Sequence, residues 1–328
     1  MAADTVVYDR LAETALPCDL SPQVELHSVG KKKGHHPVQQ EEINTLLVRL
    51  AQQGKRVVRL KGGDPYVLGR GGEEAEALAD AGIPFEVVPC VTSGVAVPAY
   101  AGIPVTHRQE VVRVTMVTAH ESKKEGGPQV RWDLIGADPH VSLIGYMGVT
   151  SLPQVVEHIL ESGMDPKMPA AMIERGTTSR QRVVQSSLDE LPQAVEKEGL
   201  RPPALFIIGS VVRHADKLDW FGKRPLIGER MVVVAPVGEM GEALEMNGVE
   251  LVEVPLPVTP AARVVMGALP LTGCIFRSPD EVEAFEEERD SQGWSPEMVA
   301  WCLTPDTTTR ARDLNWLQVE QISDSPAN

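Results

Sequence analysis

The chain has 328 residues, 42% of them hydrophobic, and a formal net charge of −15. This length suits two or three domains, each with its own core. The sequence contains no apolar run near 18 residues, no secretory leader and no C-x-x-C pair among its four cysteines. It therefore predicts a cytoplasmic protein with no membrane span, disulfide framework or metal site.

Residues 1–109 alternate short β-rich runs with helical stretches, which predicts a parallel α/β domain. The predicted strands are T-V-V-Y-D, V-E-L-H-S-V, K-R-V-V-R-L and P-F-E-V-V-P. The predicted helices are the stretch from Q-Q-E-E-I-N to Gly54, the stretch G-G-E-E-A-E-A-L-A-D-A-G, and the small-residue stretch T-S-G-V-A-V-P-A-Y.

Residues 110–222 carry longer β-rich runs, which predict a second α/β domain with a mixed sheet. Residues 226–328 repeat a strand-to-helix pattern typical of a small flavodoxin-like α/β unit. The acidity is concentrated near this last unit, because residues 225–328 hold 18 Asp and Glu against 6 Lys and Arg. With no extended basic stripe interleaved with aromatic residues, nucleic-acid binding is not expected.

Three candidate functional positions stand at the ends of predicted strands. The first is K-G-G-D-P, where two glycines admit a ligand close to the backbone, although a plain tight turn explains the motif equally simply. The second is G-Y-M-G, whose Met147 is either a ligand contact or an ordinary core residue. The third is Asp9, which is a base, the partner of Arg10 in a salt bridge, or a solvated loop acid.

A fourth candidate is a basic segment containing Lys31, Lys32, Lys33, His35 and His36. In an acidic chain this concentration of cations indicates a site for a polyanion, unless the segment is a solvated loop. Adjacent histidines can bind a metal, but no further ligand stands at a suitable spacing, so no metal site is predicted.

Taken in order, these segments resemble the uroporphyrinogen-III C-methyltransferases of the tetrapyrrole methylase family over roughly residues 5 to 222. The segments that carry the resemblance are V-V-Y-D-R-L, V-G-K-K-K-G-H-H-P, G-G-D-P-Y-V-L-G-R-G-G-E-E, V-T-S-G-V-A-V-P-A-Y-A-G-I-P-V-T-H-R, G-Y-M-G-V and E-R-G-T-T-S-R-Q-R-V-V. The resemblance implies a two-domain methylase that works as a homodimer. It also implies transfer of two methyl groups from S-adenosyl-L-methionine to C2 and C7 of uroporphyrinogen III, which gives precorrin-2 for sirohaem or cobalamin.

The same resemblance implies roles for individual residues. The methyl donor would contact Gly62, Gly63, Asp64, Val67, Thr92, Ser93, Met147 and Gly176. Asp9 would accept a proton and Lys31 would donate one. The eight carboxylates of the substrate would be bound by Lys32, Lys33, His35, His36 and Arg108.

The chain also departs from the family pattern. The family opens with a strand and a G-x-G-P-G-D-P loop ahead of V-V-Y-D, so the sequence is expected to be N-terminally truncated, without its first strand and loop. The last third resembles part of uroporphyrinogen-III synthase through F-G-K-R-P-L-I-G-E-R-M-V-V-V-A-P and C-I-F-R-S-P-D-E-V-E-A-F, and it is expected to lack synthase activity. Three hypotheses stay open: an active methyltransferase, a non-catalytic tetrapyrrole- or donor-binding relative, and a methylase for another precorrin.

Overall fold

The computed structural model describes residues 3–30, 38–119, 130–136, 138–295 and 297–322. The chain packs as two compact units, Met1–Cys90 with Glu229–Asn328 and Val91–Gly228. The division into domains 1–109, 110–222 and 226–328 stays a prediction.

The first unit begins with a parallel three-stranded sheet in the order β2-β1-β3. Its strands are β1 Thr5–Tyr8, β2 Glu25–Ser28 and β3 Val57–Leu60, and its helices are a 3₁₀ helix Arg10–Ala15, α1 Gln40–Gln52 and α2 Gly71–Asp80. All four residues of β1 are buried, as befits the central strand. The predicted strands around these positions and the first two predicted helices are confirmed.

One predicted strand of this region is wrong. P-F-E-V-V-P, residues 84–89, forms no strand, although its β-branched and aromatic residues favour one. A strand needs a hydrogen-bonding partner, and within the described part of the chain the sheet ends at β2 and β3. Phe85 and Val88 are accordingly 46% and 71% exposed.

The rest of the first unit is a five-stranded parallel sheet in the order β10-β9-β11-β12-β13. Its strands are β9 Arg230–Val234, β10 Glu250–Val254, β11 Gly273–Phe276, β12 Val299–Cys302 and β13 Gln318–Gln321; its helices are α8 Glu239–Met246, α9 Pro260–Ala268, α10 Pro279–Gln292 and α11 Pro305–Asp313. Counted within the sheet, this order is 2-1-3-4-5, the order of flavodoxin, and it confirms the predicted flavodoxin-like unit.

These two parts of the first unit share one hydrophobic core. Buried Val6 and Tyr8 of β1 belong to the same cluster as Val232 of β9 and Phe276 of β11. The Thr259 hydroxyl, which also caps α9, donates to the Cys18 carbonyl at 2.5 Å. Residues 229–322 therefore pack onto the first 90 residues and do not fold against themselves alone.

The second unit is built on a mixed sheet in the order β4-β5-β8-β6-β7, in which only β4 and β5 pair in parallel. Its strands are β4 Arg113–Thr118, β5 Val141–Tyr146, β6 Pro169–Glu174, β7 Arg182–Ser187 and β8 Ala204–Ile208. Its helices are α3 Ser93–Tyr100, α4 Trp132–Ile135, α5 Leu152–Glu161, α6 Leu191–Glu198, α7 Ala215–Leu218 and a 3₁₀ helix Ser210–His214. The predicted mixed sheet is confirmed, and two separate clusters of buried residues pack against its strands.

None of the helices in the described ranges is both long and apolar enough to cross a membrane.

Candidate functional site

The K-G-G-D-P motif lies where the sequence predicts it, directly after β3 at the carboxyl end of the sheet. Gly63 has a φ of +72°, a backbone conformation that favours glycine. A Cβ atom on Gly62 would meet nothing closer than Leu11 at 3.8 Å, and Gly62 is exposed. The motif is therefore a tight turn, and it also leaves open space next to its first glycine. The turn and the room for a ligand, which the sequence offered as alternatives, are both present.

Asp64 holds this turn in place. Its carboxylate accepts hydrogen bonds from the main-chain N–H of Tyr66 at 2.8 Å and of Cys90 at 3.1 Å. These two bonds, the Cys90 bond foremost, lower the pKa of the Asp64 carboxyl below its usual value. Asp64 thus ties the loop after β3 to the extended segment that ends at Cys90.

The loop between Asp64 and α2 depends on a second glycine. The Gly71 N–H donates to the Pro65 carbonyl at 3.0 Å, and a Cβ atom on Gly71 would lie 2.4 Å from that same oxygen. Leu68 and Arg70 adopt positive φ angles of 54° and 58°, so the chain curls tightly before α2 begins. Val67, half-buried, lies within this curl.

Asp9 follows β1, the strand next to β3, and its carboxylate pairs with Arg59 of β3 at 3.1 Å. The pair with neighbouring Arg10, which the sequence left open, is not the one formed. Arg59 also contacts the buried Glu74 of α2 at 3.2 Å, and Lys61 contacts the same carboxylate at 3.0 Å. Two cations thus compensate one buried acid, which stabilises an otherwise costly charge.

Sequence reasoning missed this charge network, because its members lie on different elements. Two signals were present: an arginine inside the buried run V-V-R-L, and a second acid in the first turn of α2. Arg59 and Lys61 have side chains only 13% and 8% exposed, so their charges face the interior of this unit.

The second unit brings together the other predicted donor contacts around α3. The Thr92 hydroxyl lies 2.7 Å from the Tyr146 hydroxyl, which also accepts the Gly94 N–H at 2.8 Å. A Cβ atom on Gly94 would lie 2.3 Å from that hydroxyl oxygen, so a larger residue there would displace the Tyr146 ring. Ser93, half-buried, begins the helix beside this contact.

The G-Y-M-G motif at the end of β5 is shaped by Phe206 of β8. Cβ atoms on Gly145 and Gly148 would lie 2.0 Å and 2.6 Å from the Phe206 ring. Met147 has a φ of +57° and is 54% exposed, so it is not a core methionine. The strained backbone and exposed thioether are together typical of a contact residue.

Gly176 follows β6 and packs on the same helix. A Cβ atom there would lie 2.3 Å from Val97 of α3. Its neighbours Arg175 and Thr177 have positive φ angles of 47° and 69°. Thr92, Ser93, Met147 and Gly176 therefore all lie on α3 or on the strand ends that border it.

The predicted substrate contacts are less fully described. Lys31, Lys32, Lys33, His35 and His36 lie outside the described residues. Gly30, directly before them, lies against the backbone of Arg10, since a Cβ atom at Gly30 would be 2.7 Å from the main-chain nitrogen of Arg10. Arg108 is exposed and lies in a turn of the second unit.

Comparison with known protein families assigns this chain to one of them. Residues 1–192 match the family Tetrapyrrole (Corrin/Porphyrin) Methylases, which is more than half of the chain. This chain belongs to the tetrapyrrole methylase family.

Individual relatives agree with that assignment. The uroporphyrinogen-III C-methyltransferase of Bacillus subtilis is 46% identical over 221 residues, which are 67% of this chain and 84% of that protein. The siroheme synthase of Azotobacter vinelandii is 48% identical over 223 residues, which are 68% of this chain and 47% of that protein. The solved native form of uroporphyrin III C-methyl transferase from Thermus thermophilus matches with a TM-score of 0.51 and 38% identity, over 64% of this chain and 87% of that one.

The chain spans about half the length of the siroheme synthases that it matches. The match to the tetrapyrrole methylase family ends at residue 192, so the flavodoxin-like residues 229–322 lie beyond it. The synthase-like character of that segment and the expected N-terminal truncation both stay predictions.

Proposed function

We propose that this tetrapyrrole methylase transfers methyl groups from S-adenosyl-L-methionine to C2 and C7 of uroporphyrinogen III, giving precorrin-2. The observation that carries the proposal is the placement of Asp9 and the Gly62–Asp64 turn at the carboxyl ends of two neighbouring parallel strands. Identity of 46% to a uroporphyrinogen-III C-methyltransferase over 84% of that protein supports the same reaction.

The reaction needs alignment more than a protein nucleophile. The electron pair of an electron-rich ring carbon attacks the sulfonium methyl group, the S–CH₃ bond breaks, and S-adenosylhomocysteine leaves. Holding carbon, methyl and sulfur in line is catalysis by proximity. A proton must then leave the ring system, and we propose Asp9, which pairs with Arg59, as its acceptor. Lys31 is proposed as the proton donor.

The donor contacts are proposed in two groups. In the first unit, Gly62 and Gly63 leave room for the donor next to the backbone, Val67 borders the turn, and Asp64 keeps the turn in shape. In the second unit, the contacts are Thr92, Ser93, Met147 and Gly176 around α3. Met147 supplies an exposed, polarizable thioether suited to a sulfonium or an adenine ring.

The substrate carries eight carboxylates, which charge-assisted hydrogen bonds from cations bind strongly. We propose Lys32, Lys33, His35, His36 and Arg108 for this role. A homodimer in the cytoplasm, serving sirohaem or cobalamin formation, completes the proposal.

The deciding experiment combines donor binding with turnover. Calorimetry measures binding of S-adenosyl-L-methionine to the full chain, and mass spectrometry then follows uroporphyrinogen III for a gain of two methyl groups. A gain of two methyl groups per molecule of uroporphyrinogen III supports the proposal. Binding without methylation would instead indicate a non-catalytic relative, and methylation of later precorrins alone would indicate a different substrate.

A further inference from the structure

The second unit contains a group of side chains that the methyl-transfer proposal does not use. His107, Glu110 and His214 each offer one ligand atom, and these three atoms all lie within 4.8 Å of one another. Over the residues that the structure describes, no other set of three histidine, cysteine or acidic side chains comes so close together.

The backbone fixes the positions of all three residues. His107 and Val111 exchange two main-chain hydrogen bonds of 2.9 Å and 2.8 Å, and the Glu110 N–H donates to the His107 carbonyl at 2.9 Å. His214 ends the 3₁₀ helix Ser210–His214, which is anchored by the fully buried Val211. The site is thus built on a closed turn and an anchored helix, which favours a preformed geometry.

The two oxygens of the Glu110 carboxylate have different surroundings. Oε2 is held by Arg213 at 2.8 Å and by the Ser210 hydroxyl at 3.3 Å. Oε1 faces His214 Nε2 at 3.1 Å and His107 Nδ1 at 3.8 Å. One oxygen is therefore oriented by hydrogen bonds while the other is presented to both imidazoles, as in carboxylate ligands whose outer contacts orient them.

The charge of Arg213 does not block such a site. Its side chain is 57% exposed, so solvent and salt screen its charge.

One ring nitrogen of the cluster lacks a partner. His107 Nδ1 is buried and forms no hydrogen bond with the described residues. Buried polar atoms normally have a partner, so an orphaned nitrogen 3.8 Å from a carboxylate oxygen indicates a missing ligand. The two imidazoles also stack, with ring centroids 4.7 Å apart.

We propose that His107 Nδ1, His214 Nε2 and Glu110 Oε1 bind a divalent transition ion of the Zn²⁺ class. Two imidazoles and one carboxylate with an open fourth position form a zinc ligand set. Bonds of about 2.0–2.1 Å in a tetrahedron place ligand atoms about 3.3 Å apart. The 3.1 Å pair already fits, whereas the 3.8 Å pair and the two imidazole nitrogens, which lie within 4.8 Å of each other, must close by side-chain movement.

This site goes beyond methyl transfer and does not depend on it. The sequence predicted no metal site because it offered only adjacent histidines with no third ligand nearby. His214 lies 104 residues after Glu110, so only the fold of the second unit unites them.

The first test uses the full chain without an affinity tag and Co²⁺ as a spectroscopic probe, with Zn²⁺ as competitor. Three variants each remove one proposed ligand: His107→Ala, His214→Ala and Glu110→Gln. In each, the affinity for Co²⁺ should fall by about 10-fold or more, so that one equivalent of Co²⁺ no longer binds at the concentration that saturates the unaltered chain. The matched control is His158→Ala, an exposed histidine of α5 that pairs with Glu161. It should keep full binding. An equal loss in the control, or full binding in all three site variants, would overturn the proposal.

A second measurement needs no variant. X-ray absorption on the unaltered chain with one equivalent of Zn²⁺ should show only nitrogen and oxygen neighbours at about 2.0–2.1 Å, including two imidazoles. A sulfur neighbour at about 2.3 Å, a single imidazole, or no bound Zn²⁺ would each refute the site.

Discussion

At the scale of single residues, the two acids that contact Arg59, Glu74 and Asp9, differ in exposure. Glu74 is buried and held by Arg59 and Lys61, so its role is to orient these cations. Asp9 touches the same Arg59 but its side chain is 33% exposed, which leaves a carboxylate edge open to a ligand. The geometry therefore favours Asp9 over Glu74 as the group that exchanges a proton.

Asp9→Asn tests that role. The amide keeps the size of the side chain but cannot accept the proton, so methylation of uroporphyrinogen III should slow by about 10²- to 10⁴-fold, as measured by single-turnover assay. Donor affinity measured by calorimetry should stay unchanged, because Asp9 is not proposed to bind the donor. Asp4→Asn is the control, since Asp4 forms a surface pair with Arg56. A similar slowing in both variants would remove Asp9 from the mechanism.

The sequence predicted which residues stand at strand ends, because hydrophobic periodicity and turn residues mark where strands stop. It did not predict which side chains would meet there. Arg59 pairing with Asp9 and Tyr146 bonding to Thr92 join residues 50 and 54 positions apart. Such contacts depend on strand order, and nothing local in the sequence specifies that order.

At the scale of elements, the turn before α2 shows how glycine positions a site. The loop from Asp64 to Gly71 closes on the Pro65 carbonyl, and this closure fixes the G-G-D-P turn after β3. By contrast, residues 84–89 have strong strand composition yet form none, because propensity cannot replace a pairing partner. The sequence predicts an element when the residues of that element are enough to form it. It does not predict whether a strand forms when that depends on a hydrogen-bonding partner elsewhere in the chain.

Gly71→Ala and Gly72→Ala form a matched pair on this turn. The new methyl group at residue 71 would press on the Pro65 oxygen at 2.4 Å, and should lower the free energy of unfolding by about 1–3 kcal/mol. At residue 72 no atom lies within 4 Å, so alanine should be neutral or stabilising by up to about 1 kcal/mol. Urea unfolding measures both. Equal changes in the free energy of unfolding would show that the contact between residue 71 and the Pro65 oxygen does not determine the shape of this turn.

A second element-scale pair concerns helix caps. Thr259 and Thr304 each cap a helix of the flavodoxin-like part by accepting a main-chain N–H. Replacement by alanine should cost about 0.5–2 kcal/mol at either position in urea unfolding. Both hydroxyls make a second hydrogen bond, that of Thr304 with the Thr307 hydroxyl in its own helix. Thr259→Ala should cost more, because the second bond of Thr259, to the Cys18 carbonyl, joins α9 to the N-terminal part of the unit. A smaller cost for Thr259→Ala than for Thr304→Ala would contradict that contact.

At the scale of the whole molecule, the flavodoxin-like residues 229–322 form part of the core of the N-terminal sheet. Val6 and Tyr8 of β1 share a cluster with buried residues of β9 and β11. The strand-to-helix repeat in the sequence predicts this flavodoxin-like part. The hydrophobic periodicity of the same residues does not indicate which other part of the chain they pack against. Its acidic character is compatible with this role, since the contact is made by apolar side chains.

The cysteines allow this shared core to be tested. Cys18 lies in the N-terminal part beneath α9, and burial raises the pKa of its thiol to about 11. Cys274 of β11 is fully buried, and burial raises the pKa of its thiol well above its usual value. A raised thiol pKa means that the reactive thiolate is scarce at pH 8 and becomes more abundant when the fold opens. Cys90 is exposed and should react with iodoacetamide without denaturant.

In a urea series at pH 8, read by mass spectrometry of each cysteine peptide, Cys18 and Cys274 should therefore become labelled at the same midpoint. One core that contains residues from both parts must open as one cooperative event. Cys302 of β12, buried in the same cluster, is the internal control and should follow Cys274. Labelling of Cys18 at clearly lower urea than Cys274 and Cys302 would show that the N-terminal sheet and the flavodoxin-like part open separately, and that the apolar contact between them contributes little to stability.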